Sequence, residues 1–218
     1  MRKEIRISGF GGQGVVLAGY ILGKALTIYD GFEAVMTQAY GPEARGGASS
    51  ANLVVSDEPI DYPIVEHPDI LVALSQEAYS KFRPSATSGA LILIDEELVD
   101  PFLEDDPYRI PATRLAEELG RRLVANVVML GFFTAVTRLV GPTAMQQAIQ
   151  TSVKAKAVPL NLQAFAKGYE YALATASNSQ CESSGGSERS LSVRHAADYV
   201  GATHGARTVA AVPEEQMR

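Results

Sequence analysis

A single cysteine, Cys181, is the whole thiol complement of this 218-residue chain. One thiol makes no internal disulfide, and it supplies the ligand set of neither an iron–sulfur cluster nor a structural zinc. Its setting in a Ser/Gly-rich stretch argues against a catalytic nucleophile as well. The three histidines, His67, His195 and His204, are too scattered to form a metal site. No basic run with interleaved aromatics occurs, and the net charge is −6, which speaks against nucleic acid or an anionic membrane surface as partner. No apolar run approaches the roughly 18 residues that a membrane span needs. No signal-type segment precedes the first strand pattern, so a cytoplasmic setting is the expectation. Neither a G-x-S-x-G elbow nor a Walker G-x-x-x-x-G-K-[ST] loop is present.

Hydrophobic residues make up 46% and charged residues 20%, the balance of a globular domain with a sizeable core. Strand-like runs at Glu4–Ser8, Phe32–Met36, Ser49–Ser56, Asp69–Leu74, Ala90–Asp95 and Tyr108–Pro111 alternate with helix-like segments. The helical patterns cover Gly14–Tyr29, Gln76–Phe82 and Ala112–Leu119. Ala90–Asp95 is nearly all apolar, as suits a central parallel strand covered on both faces. A helical run follows over Asn126–Val140, Pro142–Val153 and Leu160–Ala176. The expected fold is therefore α/β: a Rossmann-like doubly wound, mostly parallel sheet with helices on both faces and a C-terminal helical run. Residues 1–176 form the expected domain. Residues 177–218 have too little apolar content to offset chain entropy and read as a disordered or weakly structured tail, with Leu191–Val200 able to form a short helix.

The first strand ends in Gly9-Phe10-Gly11-Gly12-Gln13-Gly14, a G-x-G-x-x-G spacing followed at once by a helix pattern. In that context each glycine has a mechanism: Gly9 for a tight strand exit, Gly11 for close approach of a ligand, Gly14 for packing the helix against the sheet. Unpaired N–H groups at the helix start, with the dipole behind them, favour an anion. A tight turn without ligand would use the same glycines. The second cluster, Thr37–Ser50, carries Gln38, Tyr40, Glu43 and Arg45 between Gly41-Pro42 and Gly46-Gly47. It follows the second strand, on the same carboxyl edge as the glycine turn, and is expected to complete a binding crevice or dock another subunit. An ordered loop with only an internal Glu43–Arg45 contact is the plainer alternative.

A nicotinamide-binding reading needs a carboxylate at the end of the second strand to hold the ribose hydroxyls. That strand ends at Thr37 and Gln38, while Asp30 and Glu33 lie before it or at its start. The acidic run Glu96–Asp106 reads as a solvated face more than a cation site. Lys154, Lys156, Arg121 and Arg122 can neutralise phosphates but read individually as surface charge. No acid, base and nucleophile converge, so the chain resembles part of an enzyme more than a whole one.

Four segments together bring a family into view: Ile7–Val15 with G-F-G-G-Q-G, Gln38–Ser50 with Y-G-P-E-A-R-G-G, Asp61-Tyr62-Pro63, and Ala125–Gly131 with A-N-V-V-M-L-G. In this order, over about residues 4–176, they resemble the gamma subunit of 2-oxoacid:ferredoxin oxidoreductases, the pyruvate/ketoisovalerate oxidoreductase gamma-type domain. The A-R-G-G-A-S-S form with D-Y-P looks most like the 2-oxoglutarate branch. The resemblance implies an enzyme complex that converts a 2-oxoacid and coenzyme A to acyl-CoA, CO2 and reduced ferredoxin, reversibly. It implies thiamine diphosphate, Mg2+ and [4Fe-4S] clusters on partner subunits. Alpha and beta subunits are the implied partners, with a ferredoxin-like delta subunit as a further candidate and ferredoxin as acceptor. It places coenzyme A or a neighbouring subunit's anion near Gly9, Gly11, Gly12, Gln13, Gly14, Tyr40, Glu43, Arg45, Gly46, Gly47 and Asn126. Of these, Asn126 reads first as a helix N-cap. Two other readings stay open: a free-standing NAD(P)-binding protein, and an assembly module whose glycine turn meets no ligand.

Overall fold

Along β1 (Arg2–Phe10), Ile5 and Ile7 point to one face of the sheet and Arg6 and Ser8 to the other, and this alternation organises the domain. The computed structural model describes residues 1–39 and 48–182, with side chains through 177. After β1 come α1 (Val15–Lys24), ending in a π-helical turn at Ala25–Tyr29, then β2 (Glu33–Ala39), β3 (Ala48–Ser56), β4 (Ile70–Ala73) and α2 (Gln76–Phe82). β5 (Leu91–Asp95), β6 (Tyr108–Ile110), α3 (Ala112–Glu118), α4 (Ala125–Thr137), α5 (Pro142–Ser152) and α6 (Val158–Glu182) complete it. α6 runs past the expected end at Ala176.

The six strands lie in the order β2-β3-β1-β4-β5-β6. β1, β4, β5 and β6 pair in parallel, whereas β3 is antiparallel to both β1 and β2. β3 alone is therefore reversed, and the sheet is mostly parallel as expected. The two faces are unequal. Ile5, Ile7, Leu53, Val55, Ile70, Val72 and Leu93 meet helices α1, α3, α4, α5 and α6 in the main core. The opposite face carries α2, whose Tyr79 packs with Ala73, Ile92 and Ile94. On that face the buried Arg6 guanidinium is satisfied by neutral acceptors: Asn52 Oδ1 (2.7 Å), Ser85 Oγ (2.9 Å) and the Val65 carbonyl (2.7 Å). It also lies 5.0 Å from the Phe82 ring centroid, and burial pulls its pKa down from the usual arginine value.

Two helix placements depend on absent side chains. A Cβ at Gly19 would stand 2.5 Å from Ala51 Cβ, so Gly19 sets how closely α1 approaches the sheet. Between α4 and α6, a Cβ on Gly131 would strike the Phe165 carbonyl, and one on Gly168 the Val128 carbonyl. No described helix is long and apolar enough to cross a membrane.

Candidate functional site

At the carboxyl edge, where ligands bind in open α/β sheets, the ends of β1, β4 and β5 and the starts of α1, α3 and α4 are tied together. β1 continues through Phe10, so Gly9 lies inside the strand, opposite Ser49, and is not the strand's exit. A Cβ there would stand 2.6 Å from Gln13 Oε1, and the missing side chain makes room for Gln13. That glutamine accepts the Phe10 N–H at Oε1 (2.6 Å) and donates from Nε2 to the Leu74 carbonyl beyond β4 (2.8 Å). Both polar atoms are thus engaged in bridging the gap between two parallel strands.

Gly14 has φ +72°, the left-handed region that glycine favours, and precedes α1 directly. It packs against Asn126 of α4, not against the sheet as its spacing suggests; Gly19 has the sheet contact. Asn126 is the second residue of α4 and not its N-cap, because the helix already includes Ala125. Buried at 3% exposure, it donates to the Gly14 carbonyl (3.1 Å) and accepts the Val127 N–H (2.9 Å).

Gly11 and Gly12 differ from these. Both are exposed, and a Cβ on either meets nothing within 4 Å. Protein packing does not explain the bare backbone at Gly11. The first α1 hydrogen bond runs from Ala18 N–H to the Gly14 carbonyl (2.9 Å). The Gln13 N–H is taken by the Phe10 carbonyl (3.2 Å), while the other N–H groups of the preceding turn have no intrahelical acceptor, and the positive end of the helix dipole lies there.

A cleft of about 330 Å³ opens beside this turn, lined by Gly12, Gln13, Leu74, Asp95, Thr113, Arg122, Leu123 and Ala125. Asp95, fully buried at the end of β5, accepts the Thr113 N–H (2.9 Å) and hydroxyl (2.6 Å) and the Glu97 N–H (3.2 Å). Its charge is spread over three donors while it fixes the first turn of α3. Sequence reasoning passed over Asp95 and Thr113, although a lone carboxylate ending an apolar parallel strand is the available signal. Arg122, read as surface charge, lines the cleft and stands 3.9 Å from Glu117. Arg121, Lys154 and Lys156 are exposed and do not line it.

Tyr40, Glu43, Arg45, Gly46 and Gly47 lie outside the described residues; the flanking ends, Ala39 of β2 and Ala48 of β3, are at the carboxyl edge, with Ala48 opposite Phe10. The acidic run is not uniformly solvated: Asp105 is buried against Arg83 and Tyr79. No cluster of three or more potential metal-ligating side chains occurs among the described residues. The nucleotide-ribose role fails again in three dimensions. β3 separates β2 from β1, and the Asp30 carboxylate accepts the Gly141 N–H (2.6 Å) ahead of α5.

Comparison with known proteins gives one consistent picture. The family model described as pyruvate ferredoxin/flavodoxin oxidoreductase matches residues 4–171. A 2-oxoglutarate synthase subunit KorC from Methanocaldococcus jannaschii is 54% identical over 177 residues, covering 79% of this chain and 95% of that one. The solved gamma subunit of a keto/oxoacid ferredoxin oxidoreductase from Geobacter sulfurreducens is 41% identical, with TM-score 0.72 over 80% of this chain and 98% of that one. A 2-oxoglutarate:ferredoxin oxidoreductase from Magnetococcus marinus, solved with 2-oxoglutarate, coenzyme A and succinyl-CoA bound, shares the fold at TM-score 0.71 and 22% identity. That match covers 79% of this chain and 31% of that one.

Proposed function

Because the chain belongs to the pyruvate ferredoxin/flavodoxin oxidoreductase family, we propose that it is the gamma subunit of a 2-oxoglutarate:ferredoxin oxidoreductase. The carrying observation is the 54% identity to a KorC subunit across nearly that subunit's whole length. In this reading the complex converts 2-oxoglutarate and coenzyme A to succinyl-CoA and CO2, and passes the two electrons released to ferredoxin. Thiamine diphosphate with Mg2+ supplies the decarboxylation chemistry, and [4Fe-4S] clusters carry the electrons. Alpha and beta subunits, with a ferredoxin-like delta subunit where one is present, would hold these groups. The single cysteine of this chain supports that division of labour.

The chain's own contribution is a coenzyme A contact at the carboxyl edge. The residues suit a phosphate-bearing ligand. The bare backbone at Gly11 and Gly12 leaves room for close approach, the turn's N–H groups and the α1 dipole favour negative charge, and Arg122 adds an exposed cation. Leu123, 69% exposed, offers apolar surface to the rest of the molecule. Tyr40, Glu43, Arg45, Gly46 and Gly47 are proposed to border the same site. Gln13 and Asn126 act as positioning residues that hold the turn.

One observation favours the assembly-module alternative. Gly9, Gln13, Gly14 and Asn126 all have sufficient internal reasons for their identity, which leaves Gly11, Gly12 and Arg122 to carry the ligand contact. The test is a reconstituted complex assayed for 2-oxoglutarate- and coenzyme A-dependent reduction of ferredoxin. Gly11→Val is expected to raise KM for coenzyme A with little change in assembly. Unchanged coenzyme A affinity would leave the assembly role alone standing. A chain that joins no thiamine-dependent complex would end the reading altogether.

A further inference from the structure

Residues 96–107 carry the chain from β5 to β6, and polar contacts, partly buried at Asp105, anchor them on α2 and the residue after it, Arg83. The Asp105 side chain, 2% exposed, accepts two hydrogen bonds from the Arg83 guanidinium, Nε to Oδ2 at 2.6 Å and Nη2 to Oδ1 at 2.5 Å. The Tyr79 hydroxyl donates to the same carboxylate and accepts the Phe102 N–H at 3.1 Å. The rings of Tyr79 and Phe102 lean together, 5.1 Å between centroids. Gln76 brackets Asp100, accepting its N–H at Oε1 (2.7 Å) and donating from Nε2 to its carbonyl (3.2 Å).

This frame holds out Leu103, whose relative exposure of 105% leaves it in water on every side, with Phe102 partly uncovered beside it. Asp100, Glu104 and Asp106, next to that tip in sequence, are exposed and enter none of the ion pairs among the described residues. A leucine held away from the chain's own core contributes nothing to that core. With the backbone anchored on either side at Asp100, Phe102 and Asp105, seating the tip in a socket costs less chain entropy than ordering a free loop.

We propose that the Phe102–Leu103 tip is a docking knob for a companion subunit of the oxidoreductase, one that presents an apolar socket rimmed by lysine and arginine. The occupant follows from charge. Three exposed acids flank the tip within three residues along the chain, so a second copy of this chain would set the same acids against themselves, and anionic lipid or nucleic acid would be repelled. A basic-rimmed protein surface is complementary. The proposal rests on the reading of this chain as a subunit and is independent of the coenzyme A cleft.

The experiment co-expresses the tagged full-length chain with the companion subunits and measures assembly by size-exclusion chromatography and titration, at two salt concentrations. Leu103→Ser is expected to weaken assembly by about tenfold or more while leaving the chain's thermal midpoint unchanged. Glu104→Lys with Asp106→Lys should also weaken assembly and reduce its salt dependence. In whatever complex still forms, KM for coenzyme A should match wild type, which separates this surface from the cleft. Wild-type affinity in Leu103→Ser overturns the proposal. So does a loss confined to self-association, because the occupant would then be a second copy. Failure of the wild-type chain to assemble at all refutes the subunit reading and this proposal with it.

Discussion

The glycines between residues 9 and 14 do not share one purpose, and single substitutions should separate them. At Gly14 the backbone is left-handed and Asn126 occupies the space a side chain would take. Alanine there should lower stability by about 2 kcal/mol or more, the left-handed penalty adding to displacement of Asn126. At Gly11 nothing approaches within 4 Å, so alanine should change stability by no more than about 0.5 kcal/mol. Urea unfolding of the two variants beside wild type measures the contrast; equal losses would show that Gly11 has an unrecognised structural role. The glycine spacing was legible in the sequence, but its division of labour was not. Gln13 and Asn126 reach their partners, Leu74 and Gly14, across 61 and 112 residues, and no local spacing encodes such contacts.

Asp105 gives a second test at the residue scale. Burial opposes its charge, but hydrogen bonds from Arg83 and Tyr79 prevail and hold its carboxyl below the usual carboxylate range. Tyr79 is pushed up to about 12, first by burial and then by the bond to Asp105, and stays a donor at any physiological pH. Because the folded carboxyl is the stronger acid, its stabilising contribution is complete above the unfolded value. That contribution is lost as pH falls through the depressed folded one. Thermal midpoints followed from about pH 7 down to about pH 3 should fall more steeply for wild type than for Asp105→Asn. The asparagine variant should be less stable at neutral pH, because Arg83 loses its counter-charge. Parallel pH curves would contradict this assignment.

For whole elements, the helices were legible from apolar periodicity and their spacing hardly at all. The apolar periodicity of 126–140 and 160–176 marks α4 and α6, but nothing in those patterns singles out Gly131 and Gly168. In the structure they are the points where the two backbones touch, each glycine facing a carbonyl of the other helix. Gly168→Ala should therefore cost about 1–3 kcal/mol, since backbone cannot yield as a side-chain tip can. Gly23 of α1 is the control: its Cβ would meet Leu53 at an ordinary 3.4 Å. Alanine at Gly23 should be neutral or stabilising by up to about 1 kcal/mol, as expected for glycine in a helix interior. Chemical denaturation distinguishes the two, and a tolerated Gly168→Ala would mean that the helices can separate without loss.

For the whole molecule, alternation of strand and helix patterns made the α/β class readable, whereas the reversal of β3 was not. Side-chain alternation reports the two faces of a strand and not its direction beside its neighbours, and β3 is buried along all nine residues, polar and apolar alike. That reversal decides where chemistry is possible. Set between β2 and β1, the reversed strand leaves β2 at the edge and the cleft beside β1, β4 and β5. Everything that builds this edge lies before residue 130, and the last buried hydrophobic residue described is Ala172, one position beyond the end of the family match at 171. The working domain should therefore be complete without residues 183–218. A chain ending at Glu182 is expected to keep the wild-type thermal midpoint and to support full ferredoxin reduction in the reconstituted complex. If truncation lowers the midpoint, the tail packs on the domain. If it lowers only assembly or turnover, residues 183–218 touch a companion subunit, and the boundary proposed near residue 176 marks the end of the fold but not of the functional unit.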